Sequence, residues 1–255
     1  NTFVGYQTGF SNKIGYYNVY IGTDSGYSAT QSINNTFVGQ KAGCLNIVSG
    51  NTFVGAFSGQ INTTGTDNSF FGNGSGNGNI TGYANTYIGS GSGQNSNSGF
   101  CNTFVGFASG INNTTGTRNT FIGTFAGQCT TTGTANTFVG DYSGKLSNAT
   151  ANTFYGDWSG CTVTTGGYNT LIGQGSGIGI TTGVYNTTLG GDSGPTTNLS
   201  CSISIGYNAT PQVNGQVAIG SSTAPVATAV TAGAVAGYIC TNINGTNYKI
   251  PYYNI

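Results

Sequence analysis

Few residues in this chain are able to do chemistry. The carboxylates are Asp24, Asp67, Asp141, Asp157 and Asp192; the cations are Lys13, Lys41, Arg118, Lys145 and Lys249; His and Glu are absent from all 255 residues. Without an imidazole, the usual base that activates a Ser or Cys nucleophile is missing. Paired carboxylates can act as acid and base, or hold calcium. Asp141 and Asp157 are the pair to consider, because they share one place in successive sequence repeats and would lie about 5 Å apart if the repeats stack. One pair supplies too few oxygens for a tight calcium site, so a solvated edge pair is the plainer reading. Asp24 and Lys41 share a place in the same way and predict a surface ion pair of little energetic value. The run Gly72-Asn-Gly-Ser-Gly-Asn-Gly78 imitates a phosphate loop, but no helical pattern follows it. The expectation is no enzyme, no cofactor and no metal.

Composition points the same way. Charged residues are 4% of the chain and the net charge is zero. Nucleic-acid binding and a polybasic membrane patch both need clustered Lys and Arg, so no nucleic-acid partner is expected. No apolar run approaches the roughly 20 residues of a membrane span, so no membrane insertion is expected. The chain holds 46 Gly, which suggests disorder, but 36% of it is apolar and includes 14 Phe and 16 Tyr at regular places. Disorder requires low hydrophobicity.

The regularity is a tandem repeat. Asn51-Thr-Phe-Val-Gly55 returns as Asn68-Ser-Phe-Phe-Gly72. The same phrase opens at Asn1, Asn18, Asn35, Asn85, Asn102, Asn119, Asn136, Asn152, Asn169 and Asn186, in steps of 16 or 17 residues. Ser202-Ile-Ser-Ile-Gly206 and Gln216-Val-Ala-Ile-Gly220 are degenerate copies after shorter steps of 16 and 14. Each unit also carries a small-residue-Gly pair, such as Ser58-Gly59, and many carry Thr-Thr-Gly, such as Thr64-Gly65. Phe, Val, Ile, Tyr and Thr favour strands, while Gly and Asn favour turns. Seventeen residues is too short for a propeller blade or helical hairpin and suits one coil of a solenoid. The predicted fold class is therefore all-β: a parallel β-solenoid, or β-roll, of about fourteen coils of 14–17 residues. The expected repeat core comprises Phe3, Val4, Phe37, Val38, Phe53, Val54, Phe104, Val105, Phe121, Ile122, Phe138 and Val139. The expected corners are Gly5, Gly39, Gly55, Gly106, Gly123 and Gly140. The leading Asn is expected to ladder from coil to coil.

Side chains alternate along a strand. Thr2 and Val4 therefore face one way and Phe3 the other, so both faces are apolar. The expectation is that the Val4 file fills the coil and the aromatic file lines the outside. An aromatic stripe of that size needs cover, and a bundle of three parallel copies, intertwined or side by side, provides it. The alternative is a wide coil whose interior folds over both faces.

Gln216-Val-Ala-Ile-Gly220 resembles the parallel β-roll repeats of trimeric autotransporter adhesin heads. The longer units, such as Asn119-Thr-Phe-Ile-Gly-Thr-Phe-Ala-Gly127, resemble the NTxxG repeats of tail-fibre-like proteins from phages and giant viruses. The resemblance covers residues 1–220 and implies a homotrimeric fibre. It does not choose between virus and bacterium, because a repeat is an architecture and not an activity.

The predicted organisation is a repeat region at 1–220, an Ala/Val/Thr-rich connector at 221–237, and a β-hairpin cap or tip at 238–255 turning at Asn244-Gly245. A solenoid end exposes unpaired backbone and calls for a cap. The chain opens inside a repeat, which predicts a longer parent protein. Six cysteines, Cys44, Cys101, Cys129, Cys161, Cys201 and Cys240, fall too far apart in the repeat for bridges within one chain, whose Cα limit is about 7 Å. They are expected to be free thiols packed as small buried hydrophobes, which suits assembly in a reducing compartment; bridges between chains around the axis are the alternative. Glycosylation sequons, for example at Asn62, Asn113 and Asn186, are no more frequent than this composition produces by chance.

The expected function is a structural fibre or spike on a virion surface, a rigid trimeric rod presenting a tip for host attachment. Its partners would be its own copies, other virion or cell-surface components, and a host receptor or glycan. The alternative is a bacterial extracellular adhesin or surface filament. A third reading is ice binding, from the file of Thr2, Thr36, Thr52, Thr86, Thr103, Thr120, Thr137, Thr153, Thr170 and Thr187. That file shares the Val4 face, so it is expected to point inward or along an edge.

Overall fold

The computed structural model describes residues 1–221, 223, 235–243 and 246–253. Fourteen three-residue strands come first: β1 (Thr2–Val4), β2 (Val19–Ile21), β3 (Thr36–Val38), β4 (Thr52–Val54), β5 (Ser69–Phe71), β6 (Thr86–Ile88) and β7 (Thr103–Val105), then β8 (Thr120–Ile122), β9 (Thr137–Val139), β10 (Thr153–Tyr155), β11 (Thr170–Ile172), β12 (Thr187–Leu189), β13 (Ile203–Ile205) and β14 (Val217–Ile219). They form one parallel sheet in sequence order. Each pairs in full register with the next, as in Thr103↔Thr120, Phe104↔Phe121 and Val105↔Ile122. This is a β-solenoid of about thirteen turns. At ~4.8 Å per coil it is a rod about 60 Å long. Strands β15 (Val235–Ile243) and β16 (Thr246–Tyr253) pair antiparallel. The expected hairpin turn at Asn244-Gly245, and most of the expected connector, lie outside the described residues.

The strands face the opposite way to the expectation. The aromatic file is inside: Tyr20, Phe37, Phe53, Phe70, Tyr87, Phe104, Phe121, Phe138 and Phe154 are all fully buried. Their rings stack from coil to coil, for example Phe104 on Phe121 with centroids 4.8 Å apart and planes 6° from parallel. Phe3, in the first described coil, stacks on Tyr20 with its ring on the same inward side. The fourth-letter file is outside: Val4 and Ile122 are exposed, and Val38, Val54, Val105 and Val139 are half-buried. Neither the outward aromatic stripe nor the wide two-faced coil occurs.

The reason is the narrow cross-section of the coil. Gly59 has φ +54°, and a Cβ on it would lie 2.5 Å from Cε2 of Phe53. The small-residue-Gly pair is thus the far wall of a slot one ring thick. The rest of the interior is small: Ser58, Asn51 and Asn62 are fully buried. A ring removes more apolar surface from water than a Val does, and adds ~0.5–1.5 kcal/mol per stacked pair beyond burial. The slot therefore takes the ring and leaves the smaller side chains outside.

The leading Asn forms the expected ladder. The backbone N–H of Asn119 donates to Oδ1 of Asn102 at 3.0 Å, while Nδ2 of Asn102 donates to the Gly116 carbonyl at 2.8 Å. One bond joins adjacent coils and the other closes its own coil. The pattern runs from Asn1, which accepts from the Asn18 N–H, to Asn186, which accepts from the Ser202 N–H. In a 16-residue unit the closing carbonyl moves one residue nearer, as in Asn136 Nδ2 to Ala149 O at 2.8 Å. The missing residue is thus absorbed before the closing corner.

Candidate functional site

The first candidate surface is the outward face of the long sheet. The second strand residue points inward, so the first and third point outward. That face carries a Thr column and an aliphatic column, both in register over the parallel strands. The aliphatic column includes Ile21, Phe71, Ile88, Ile122, Tyr155, Ile172 and Leu189, all exposed large apolar side chains. Ile122 is 40% exposed, where its neighbour Phe121 is 0%. The Thr file thus faces outward, correcting the expectation that it points inward or along an edge; Thr36, Thr52, Thr103 and Thr120 are half-buried there. The expected corner residues Gly5, Gly39, Gly55, Gly106, Gly123 and Gly140 follow the strands with φ between +132° and +138°. At Gly55 a Cβ would lie 2.3 Å from the Gly72 carbonyl oxygen of the next coil, so stacking requires glycine there.

The second surface is an aromatic flank that the sequence reasoning missed. From Gln7 to Asn208 the seventh residue of every unit takes a left-handed conformation whether or not it is glycine. Phe125, Tyr142 and Trp158 hold it with φ 54°, 51° and 57°. Their rings stack outside the coil, Phe125 on Tyr142 at 5.2 Å and Tyr142 on Trp158 at 4.7 Å. Phe107 abuts Phe125 edge-on at 5.4 Å. The Lys145 ammonium lies 5.1 Å from the Tyr142 ring centroid and 5.9 Å from that of Trp158. Such cation–π contacts are worth ~0.5–1 kcal/mol when exposed. The signal was available: the three aromatics share one place in successive units.

The polar pairs contribute little. Asp141 and Asp157 occupy the same place on adjacent coils beside this flank, as the register Val139↔Tyr155 requires. Asp24 and Lys41 are likewise in register, but the expected ion pair does not form. Among the described residues no group of three or more His, Cys, Asp or Glu is placed to hold a metal. Gly72 to Gly78 is a repeat corner with positive φ at Gly72, Gly74 and Gly76.

The cysteines are partly corrected. Cys44, Cys101, Cys129, Cys161 and Cys201 are free thiols, but only Cys161 is buried, and Cys101, Cys129 and Cys201 are exposed. Cys101 and Cys201 sit outside because their places take left-handed φ values of 56° and 58° at the coil corner. Burial raises the Cys161 thiol above its ordinary pKa, and does the same to Cys44 with help from the Asp24 charge. The Cys240 side chain lies outside the described set.

Comparison with known protein families, with curated proteins and with solved structures finds no match.

Proposed function

We propose that the chain is a structural rod, the shaft of a fibre or spike, whose copies pack side by side along the outward aliphatic column. That column is the observation that carries the reading. It runs along the fourteen-stranded sheet, and no charged residue interrupts the strands that form it. Exposed apolar patches larger than a few hundred Å² mark interaction surfaces. The face repeats at every coil, so the partner that matches it everywhere is another copy in parallel register. Cyclic symmetry closes such contacts, and three copies around an axis parallel to the rod bury the column on each. The resemblance to trimeric fibre repeats supports a virion or cell-surface setting, in which the rod presents a tip for host attachment.

The test is the native mass of the chain by light scattering in non-denaturing buffer. The proposal predicts three times 25.8 kDa, and loss of the trimer in the double substitution Ile122→Lys, Val139→Lys. A stable wild-type monomer sinks it.

The outward Thr file favours a second reading, ice binding. Thr and Val present methyl groups of similar size, so the face offers two columns of methyls with a regular ~4.8 Å repeat. A monomer that shows thermal hysteresis, and loses it in Thr120→Lys, would establish this reading over the fibre.

A further inference from the structure

The late coils, where no ring fills the slot, carry a cleft of about 280 Å³, lined by Gly175, Ile178, Asp192, Pro195, Asn208 and Thr210 among others. Asp192 and Asn208 hold the seventh place of successive coils. The Asp192 N–H donates to the Gln174 carbonyl at 2.8 Å and the Asn208 N–H to the Gly191 carbonyl at 3.0 Å. This column is the polar side of the cleft. Ile178 and Pro195 hold the tenth place of their coils and make its apolar side. Ser193 and Gly194, both buried, lie between Asp192 and Pro195. Glycine at the seventh place of the preceding coil decides where the carboxylate sits: a Cβ on Gly175 would be 2.5 Å from Asp192 Oδ1. The carboxylate therefore lies against the rod, in the space that a side chain at 175 would fill. The side chains of Asp192, Asn208 and Thr210 have no hydrogen-bond partner within the described protein. No Lys, Arg or aromatic residue lines the cleft.

We propose that this cleft binds a primary alkylammonium group, either a free amine or the side chain of a partner's lysine. A primary ammonium has three N–H donors and no acceptor. The Asp192 carboxylate, the Asn208 amide oxygen and the Thr210 hydroxyl are acceptors for it, and the carboxylate supplies the opposite charge. The alkyl stem lies along Ile178 and Pro195, where its burial from water is favourable. The volume is at the small end of ligand sites and suits a chain of a few carbons. Other classes fit less well. Anions find no cation in the cleft. A quaternary ammonium has no N–H to give and is recognised by aromatic rings, which the cleft lacks. Calcium takes six to eight oxygens, and one carboxylate is a poor start. The site stands on one chain and does not depend on the assembly proposed above; a monomer that binds amines keeps the site and loses the fibre.

Titration calorimetry on the intact chain tests this. The probes are butylamine, cadaverine and Nα-acetyl-lysine amide; tetramethylammonium, butyrate and calcium chloride are the controls. The expected result is saturable binding of the amines. Asp192→Asn should weaken it by about tenfold or more. Asp24→Asn should leave it unchanged, since Asp24 holds the seventh place of its own coil between Gln7 and Lys41, with no glycine beside it. Gly175→Ala should weaken binding by displacing the carboxylate. That variant is expected to fold, because Ala108 holds the same place with φ 51°; circular dichroism checks it. Tighter binding of the lysine amide than of cadaverine identifies a protein side chain as the occupant, and the reverse order a free diamine; both support the site. The proposal is overturned if no amine binds saturably, if Asp192→Asn binds as well as wild type, or if any control binds more tightly than every amine.

Discussion

The first ten coils and the last four share a backbone but not an interior. From Phe3 to Phe154 every coil places an aromatic ring in the slot. Beyond it the same place holds Leu171, Thr188, Ser204 and Ala218, yet the strands keep their parallel register. The ring is therefore not what shapes a coil. The glycine corners and the Asn ladder run through both regions, with Ser202 the first unit to lack the leading Asn. Shape comes from the corners, and stability in the first region from the stack. The cleft lined by Gly175, Asp192 and Asn208 lies within the ring-free region.

Breaking the stack should have the largest effect. Phe121→Ala empties a slot between two rings and is expected to cost about 3–5 kcal/mol, whereas Thr188→Ala, in the ring-free region, should cost under about 1 kcal/mol. Chemical denaturation of both variants checks the contrast; equal losses would break it.

The ladder comes next. Asn102→Ala removes the acceptor of the Asn119 N–H and the donor to Gly116 O. Both groups stay buried, so the expected cost is about 2–3 kcal/mol. Where the leading Asn gives way to serine, Ser202→Ala should cost less than half of that by the same assay.

Tyr87→Phe is a smaller change. It removes the buried bond of 2.9 Å between the Tyr87 hydroxyl and Ser96 Oγ, for about 1 kcal/mol at neutral pH. Burial raises the Tyr87 phenol above its ordinary pKa, and Tyr20 shifts the same way. A raised folded pKa means the folded state holds its proton longer than the unfolded chain. Stability from these groups is complete below the unfolded value of about 10 and falls as pH rises beyond it. Tyr87→Phe should flatten that alkaline loss in melts taken from pH 8 to 11.

The smallest effect sharpens the comparison from the other side. Both side-chain polar atoms of Asn113 are buried without partners. Val163 and Ile180 hold the same place in the tenth and eleventh coils and are fully buried. Asn113→Val should be neutral or raise stability by up to about 1 kcal/mol, measured by thermal melting.

Much of this was legible in the sequence. The period gave the coils, the Thr-Phe-Val phrase the strands, the glycines the corners, and the leading Asn its ladder. The facing was not legible. In a three-residue strand with apolar letters in both parities, alternation fixes which residues face together but not which side is inside. That choice rests on the space left by Gly59 and its equivalents, six residues after each ring, a relation visible only once the coil is closed. The left-handed seventh place was hidden for a similar reason: Lys41, Phe57, Ala108 and Trp158 all occupy it, so no residue type marks it. The outer aromatic flank is hidden with it, because rings fill that place in only some coils while Gln7, Asp24, Lys41, Ala108, Asp192 and Asn208 fill it in others.

The central claim is that the ring file is inside and the aliphatic file outside. Two neighbouring substitutions test it most directly, Phe121→Lys and Ile122→Lys, read by far-ultraviolet circular dichroism and thermal melting. The account predicts that Phe121→Lys abolishes the cooperative β-sheet transition, while Ile122→Lys retains it whatever it does to the native mass. A folded Phe121→Lys beside an unfolded Ile122→Lys would contradict the account and return the aromatic file to the surface.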